Sequence, residues 1–152
     1  MARLLIVHHT ASPAMHSMFE AVVSGARDKA IEGVEVVVSP ALITSPIQVM
    51  EADGYLLGTP ANIGYMSGAL KHFFDQIYYP CLAATVGRPY GLYVHGNSDT
   101  TGAVRAVEAV TKGLKWRLAQ SPVEIIGAPS TSAIEACREL GAAVAAGLSS
   151  ST

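Results

Sequence analysis

The chain has 152 residues, enough for one domain with a sizeable core. Half of its residues are hydrophobic, only 14% are charged, and the net charge is −2. This composition argues against a nucleic-acid-binding surface, which would need clustered lysines and arginines. The low charge fraction leaves room for a subunit interface and is consistent with a homodimer.

The first residues enter an apolar run at 4–7 almost at once, so we predict no signal peptide with a basic and then an apolar region. No apolar run reaches the roughly 18 residues that span a bilayer. Cys81 and Cys137 lack the spacing of a metal or redox motif, so we predict two buried thiols rather than a disulfide. These features predict a cytoplasmic protein that does not insert into membranes.

Apolar runs and helical patterns alternate along the chain. Continuous apolar runs predict strands at 4–7, 34–38, 54–58, 90–95 and 123–127. Apolar positions at helical spacing predict helices at 15–30, 68–83, 100–118 and 132–146, with 39–48 mainly loop and a helical turn at 49–52. The alternation predicts an α/β fold: a doubly wound, five-stranded parallel sheet with helices on both faces. We predict a single domain over residues 1–148 and a flexible tail at 149–152.

Three predicted loops follow the first, third and fourth strands and are rich in Gly, Ser, Thr, Asn and Pro. They span residues 9–17, 58–68 and 96–102. In the strand order 2-1-3-4-5, these loops would surround one crevice at the carboxyl ends of the strands, where open α/β sheets bind ligands. Residues 58–68 are predicted to form an unusually long loop, since they hold three glycines and a proline.

The first of these loops opens a helix, and the free amides and positive dipole at a helix start suit a phosphate. Thr10, Ser12 and Ser17 add hydroxyl groups. Ser12 followed by Pro13 also makes a good helix start without any ligand. Neither the G-x-G-x-x-G fingerprint nor the Walker loop is present, so a dinucleotide bound in the Rossmann manner is not predicted.

Four histidines lie near the same strand ends: His8, His9, His16 and His95. Only Asp99 accompanies them and no H-x-x-x-H spacing occurs, so a metal site is not favoured. A hydrolase using a serine and one of these histidines is also disfavoured, because the G-x-S-x-G elbow is missing. A receiver domain would have an acidic pair at the end of the first strand. This chain has His8 and His9 there, so a receiver domain is not predicted.

Residues 58–76 read GTPANIGYMSGALKHFFDQ. This segment resembles the signature G-T-P-x-x-x-G-x-M-S-G-x-x-K-x-F-x-D-Q, which is typical of NADPH-dependent FMN reductases and of NAD(P)H:quinone reductases of the tryptophan-repressor-binding-protein type. Both belong to the flavodoxin-like superfamily. The order of predicted elements resembles that superfamily over nearly the whole chain.

The resemblance implies FMN as the cofactor and NAD(P)H as the electron donor, with flavin N5 rather than any side chain carrying the reaction. The implied phosphate-binding residues are Thr10, Ser12, Met15, His16 and Ser17. The residues implied to line one side of the isoalloxazine ring are Pro60, Ala61, Asn62, Ile63 and Gly64. Those implied to hold its other edge and the ribityl chain are Gly96, Asn97, Ser98 and Asp99. Tyr65 and Tyr78 are candidates to stack on nicotinamide or quinone, although Tyr78 also fits a core or interface position.

The function implied is the reduction of a quinone or flavin-type acceptor through bound FMN. The alternatives are a flavodoxin-type one-electron carrier without its own substrate, and a flavin-binding sensor or storage protein. Carriers are usually strongly acidic, so that they dock on basic partners, and a net charge of −2 favours the reductase. The chain lacks the segment that the quinone reductases insert beyond the fourth strand, so their type of tetramer is not expected.

Overall fold

The computed structural model of the protein describes residues 1–150. Within them the strands are β1 (Ala2–His8), β2 (Val34–Pro40), β3 (Gly54–Asn62), β4 (Tyr65–Met66), β5 (Pro89–Gly96), β6 (Arg117–Leu118) and β7 (Val123–Ile126). The α-helices are α1 (Pro13–Ala26), α2 (Pro46–Glu51), α3 (Gly68–Cys81), α4 (Thr101–Leu114) and α5 (Thr131–Ser150). A single 3-10 turn, Ala41–Ile43, precedes α2.

The sheet has the order β2-β1-β3-β5-β6, and β7 also pairs with β5. These pairings are parallel, whereas β4 runs antiparallel to β3. The prediction of a parallel α/β sheet with helices is confirmed. The count of five strands is wrong, because the described residues form seven, of which β4 and β6 have two residues each.

The core lies on both faces of the sheet, because successive side chains of a strand point to opposite faces. Leu4 and Ile6 of β1 pack with α1 and α5 on one face. Leu5 and Val7 pack with α3 and α4 on the other. Parallel strands covered on both faces leave their carboxyl ends as the open edge where loops meet.

The largest departure from the sequence prediction falls in residues 58–68, which form a hairpin rather than a long loop. Thr59 and Pro60 pair with β5, so β3 continues through Asn62. After a tight turn, β4 returns along β3, with Ala61 opposite Met66. A strand-like pattern was not recognisable here because the pairing with β5, and not the local sequence, keeps this segment extended.

Several helix ends also differ from the prediction. Helix α1 ends at Ala26 instead of residue 30, and α4 ends at Leu114 instead of residue 118, since Lys115 adopts a left-handed conformation with φ of 60°. Helix α2 begins at Pro46, inside the predicted loop, because Ser45 and Gln48 form a capping box.

Helix α5 runs to Ser150, past the predicted end at residue 146 and into the predicted tail. Ser151 and Thr152 of that tail lie outside the described residues. None of the helices in residues 1–150 is both long and apolar enough to cross a membrane.

Candidate functional site

A cavity of about 200 Å³ opens where the carboxyl ends of β1, β3 and β5 meet. It is lined by Ala11, Ser12, Pro60, Ala61, Asn62, His95, Gly96 and Asn97. The structure therefore brings together three segments that lie far apart in the sequence, as the strand order requires. None of the described residues that line the cavity is Asp, Glu, Lys or Arg, so its polar groups are backbone amides and carbonyls, a hydroxyl, two carboxamides and an imidazole.

The segment between β1 and α1 presents a run of free backbone N–H groups. Among the described residues, the amides of Thr10, Ala11, Ser12 and Ala14 have no hydrogen-bond partner. The Ser12 hydroxyl caps α1 by accepting a hydrogen bond of 3.1 Å from the amide of Met15. Free amides at a helix start, aided by the helix dipole, form a site for an anion.

The side chain of Thr10 is held by a histidine. Nδ1 of His8 lies 2.8 Å from Oγ1 of Thr10, and the imidazole stacks on Phe19 with the ring centroids 4.1 Å apart. Burial, and then the neighbouring His9, lower the pKa of His8. The Thr10 hydroxyl is thus fixed in position at the start of the amide run.

The other implied phosphate-binding residues of this segment lie differently. Met15 is fully buried in the core, so only its amide reaches the helix start, and that amide is bonded to Ser12. Ser17 donates a hydrogen bond to the Pro13 carbonyl, and His16 pairs with Glu20 on the exposed surface of α1. Thr10 and Ser12 are therefore the two of the five whose side chains sit in the loop before α1.

The hairpin between β3 and β4 turns through Ile63 and Gly64, which have φ of 50° and 72°. Positive φ at both central residues is the requirement of a type I′ hairpin, normally met by Asn-Gly. Ile63 is β-branched, so this conformation is a genuine outlier and costs about 1–3 kcal/mol. Its side chain is fully exposed at the tip.

Two contacts hold this hairpin in place. The Thr59 hydroxyl accepts a hydrogen bond of 3.0 Å from the Ser67 amide and donates one of 2.8 Å to the Pro60 carbonyl. The Gly64 carbonyl lies against Gly102 in the first turn of α4, where a Cβ would clash with it. The sequence analysis predicted neither contact, because both depend on the hairpin pairing.

The end of β5 contributes His95, which sequence reasoning had considered only for a metal site or a hydrolase. His95 is 8% exposed and its Nε2 lies 2.8 Å from the Gly127 carbonyl. A carbonyl oxygen only accepts hydrogen bonds, so Nε2 carries a proton. The position of His95, at the end of a continuous apolar run and directly before Gly96, was the sequence signal that could have placed it in the site.

Beyond β5, Asn97, Ser98 and Asp99 are exposed. Asp99 accepts hydrogen bonds from the amide and the hydroxyl of Thr101 at 3.0 and 2.9 Å, and these bonds lower the pKa of Asp99. The Thr100 hydroxyl donates to Glu124 of β7 at 2.8 Å. This segment is therefore anchored to both α4 and β7.

The two candidate stacking tyrosines lie in different places. Tyr65 is 43% exposed on β4, next to the hairpin tip and close to the cavity-lining residues. Tyr78 lines a separate cavity of about 460 Å³ between α3 and α4, together with Tyr79. The structure brings Tyr65 toward the site and does not bring Tyr78 there.

Comparison with known proteins gives a few sequence matches and many structural ones. No protein-family model matches the chain. A segment of 77 residues, 51% of this chain, is 34% identical to a flavodoxin from Aquifex aeolicus (strain VF5). The match spans 40% of the length of that flavodoxin.

Solved structures cover nearly the whole chain. A WrbA-like flavodoxin from Agrobacterium tumefaciens superposes with a TM-score of 0.78 at 20% identity, over 99% of both chains. A flavodoxin from the domain Archaea gives 0.78 at 19% identity, over 96% of this chain and 98% of that one. The Flv1 flavodiiron core from Synechocystis sp. PCC6803 gives 0.81 at 14% identity, over 99% of this chain and 37% of that one. The chain has a flavodoxin-like fold.

Proposed function

We propose that this chain, whose fold is flavodoxin-like, binds FMN at the carboxyl edge of its sheet and uses NAD(P)H to reduce a quinone or flavin-type acceptor. The observation that carries the proposal is the run of unpartnered amides from Thr10 to Ala14 beside a cavity lined by neutral groups. A phosphate on one side and a flat, uncharged ring on the other are the ligand parts that such a site accommodates.

The donor set fits FMN part by part. The free amides of residues 10–14, with the hydroxyls of Thr10 and Ser12, would hold the phosphate. Pro60, Ala61 and Asn62 on one side, and Gly96 and Asn97 on the other, would hold the isoalloxazine ring.

FMN, when bound, supplies the hydride and electron transfer that no amino-acid side chain provides. The residues of the chain bind and orient it. The Thr59 bonds and the Gly64–Gly102 contact fix the hairpin wall, and the Gly127 carbonyl fixes the His95 ring with Nδ1 left to interact with a ligand. An uncharged wall of this kind suits an uncharged aromatic acceptor, and the half-exposed Tyr65 is placed to stack on one.

The second candidate is a one-electron carrier. It is favoured by the names of the relatives, since the Aquifex aeolicus protein and the archaeal structure are flavodoxins. Against it, the net charge is −2, and residues 96–102 contain no aromatic side chain to cover a second face of the ring.

Anaerobic mixing of the FMN-loaded protein with NADH or NADPH separates the two candidates. The reductase predicts that one of the two nucleotides bleaches the flavin absorption band far faster than it bleaches free FMN. A carrier predicts no bleaching by either nucleotide, while dithionite still bleaches the same sample. Loss of rapid bleaching in Tyr65→Ala, with FMN affinity retained, would support the role of Tyr65 in stacking.

A further inference from the structure

His8 lies directly before the amide run, and its contact with Thr10 has a consequence for phosphate binding. We propose that His8 is a positioning residue of the phosphate site: its protonation turns the Thr10 hydroxyl so that the hydroxyl donates a hydrogen bond to the phosphate of FMN. This inference rests on the proposed function, because the site is the same.

The geometry restricts what Thr10 can do. A threonine hydroxyl has one proton to donate, and here its oxygen lies 2.8 Å from Nδ1 of His8. Stacking on Phe19 at 4.1 Å, with 29° between the ring planes, holds the imidazole half-buried in that orientation. The direction of the His8–Thr10 hydrogen bond therefore depends on which of the two atoms carries the proton.

The role of Thr10 depends on whether Nδ1 of His8 carries a proton, and the proposed change is from the neutral ring with its proton on Nε2 to the protonated ring. When the His8 ring is neutral with Nδ1 unprotonated, the Thr10 hydroxyl donates to Nδ1 and has no proton left for a phosphate. When the ring is protonated, Nδ1–H donates to Oγ1, and the Thr10 hydroxyl is free to donate to the anion, as are the adjacent amides of residues 10–12. The protonated ring also adds a positive charge close to the phosphate.

Few charged groups lie where they could interact with the His8 ring. The titratable or charged groups on the elements packed around His8 are Arg3 on the same strand and His9 directly after it, Glu35 on β2, Tyr55 on β3, His16 and Glu20 on α1, Glu135, Cys137, Arg138 and Glu139 on α5, and Tyr90, Tyr93 and His95 on β5. Glu20 pairs with His16, and Arg138 with Glu135. The Tyr93 hydroxyl is buried against Gly58, which is paired with His8 in the sheet. None of the described residues forms an ion pair with His8, so a phosphate would be its first close anion.

The sign of the pH effect follows from this arrangement. In the free protein, burial and then His9 hold the pKa of His8 below its usual value, so the ring is neutral at neutral pH. A bound phosphate raises the pKa of His8, so binding takes up a proton and FMN binds more tightly as pH falls. Each unit by which binding raises the pKa corresponds to about tenfold in affinity. The second ionisation of the phosphate, with a pKa near 6, works in the opposite direction and is present in every variant.

The test compares FMN with riboflavin, which has no phosphate, by flavin fluorescence titration between about pH 6 and pH 8. The proteins are wild type, His8→Asn, which keeps a hydrogen-bonding group near Thr10 but does not titrate, and Thr10→Val. His72→Asn is the matched control, because His72 is exposed on α3 and away from the cavity.

We expect the ratio of FMN affinity in wild type to that in His8→Asn to rise severalfold from the high to the low end of this pH range. His72→Asn should follow wild type, Thr10→Val should lose most of this pH-dependent rise and keep only the part that the His8 charge supplies, and riboflavin should show no difference among the four proteins. Calorimetry in two buffers of different ionisation enthalpy should show more proton uptake with FMN in wild type than in His8→Asn, since the ionisation of the phosphate is common to both proteins, and no such difference with riboflavin.

The same pH profile in wild type and His8→Asn would overturn the role of His8. Full retention of the His8-linked profile in Thr10→Val would overturn positioning through Thr10, because the charge alone would then account for the effect. If neither FMN nor riboflavin binds wild type at any pH, the proposed function itself fails. The two failures are therefore distinguishable.

Discussion

The carbonyl of Gly64, at the tip of the β3–β4 hairpin, lies against Gly102 in the first turn of α4, at the position where any other residue would place its Cβ. This contact joins two segments of the candidate site that are separated in the sequence. The contact also holds the strained turn in place, because the carbonyl of Gly64 packs against α4.

Replacing Gly102 with Ala should displace the hairpin, because a backbone carbonyl cannot move aside as a flexible side chain can. We expect the free energy of unfolding to fall by about 1–3 kcal/mol and FMN affinity to fall at least tenfold. Chemical denaturation and flavin titration measure the two effects. Gly147→Ala is the control: a Cβ there meets no atom of the described residues within 4 Å, so this helix substitution should stabilise by about 0.5–1 kcal/mol and leave FMN affinity unchanged. Unchanged FMN binding in Gly102→Ala would contradict a hairpin wall fixed by this contact.

Ile63 should show a trade-off between stability and binding. Asn tolerates the left-handed conformation that Ile63 adopts at φ of 50°, and Asn-Gly is the preferred type I′ pair. Ile63→Asn should therefore raise the free energy of unfolding by about 1 kcal/mol. If the Ile63 side chain lines the ring site, the same variant should bind FMN severalfold more weakly. A variant that is less stable than wild type would contradict strain at this turn.

Ser12 has a structural and a ligand-binding role that two alanine substitutions separate. Ser12→Ala removes the cap of α1, and Ser45→Ala removes the cap of α2, which lies away from the cavity. Each should lower the free energy of unfolding by about 1 kcal/mol. Only Ser12→Ala should weaken FMN binding, and it should weaken riboflavin binding much less, because Ser12 would face the phosphate in the proposed site. Equal losses for the two ligands would place the phosphate elsewhere.

Tyr55 gives a prediction at alkaline pH. Its hydroxyl donates to the Val49 carbonyl at 2.6 Å, its ring stacks on Trp116 at 4.1 Å, and burial, opposed by Arg88, raises the pKa of Tyr55 to about 12. A raised pKa contributes stability that is fully present below the unfolded value near 10 and is lost as pH rises through the folded value.

Tyr55→Phe should therefore be about 1 kcal/mol less stable than wild type at neutral pH, because the bond to Val49 is lost. Near pH 11 the free energy of unfolding of wild type should have fallen by about 1 kcal/mol relative to that of Tyr55→Phe, because only wild type must keep this tyrosine neutral in the folded state. Urea unfolding at both pH values measures the change. Tyr79→Phe is the control, because the Tyr79 side chain is 81% exposed, and its stability relative to wild type should not depend on pH. If the stability difference between Tyr55→Phe and wild type were the same at both pH values, the burial of the Tyr55 hydroxyl would be contradicted.

Local signals in the sequence were sufficient where local contacts decide the structure. Ser12 and Pro13 predicted the start of α1, and the apolar run at 4–7 predicted a strand buried on both faces. The capping box of Ser45 and Gln48 is an equally local signal for the start of α2, in a segment whose two prolines predict a loop.

Contacts between distant segments could not be predicted in this way. The extension of β3 through Asn62 depends on pairing with β5 and β4. The left-handed Lys115, which ends α4 early, has no glycine to mark it. The candidate site was located by the order of the strands, while the packing of Gly64 on Gly102 and the hydrogen bond of His95 to Gly127 depend on tertiary structure.

Titration of the purified chain with FMN tests the central claim most directly. The account predicts saturable quenching of flavin fluorescence with one FMN bound per chain, weaker binding of riboflavin, and competition by inorganic phosphate for FMN. Binding of riboflavin as tight as that of FMN would contradict a phosphate site at residues 10–14. No binding of either flavin would contradict the flavoprotein proposal as a whole.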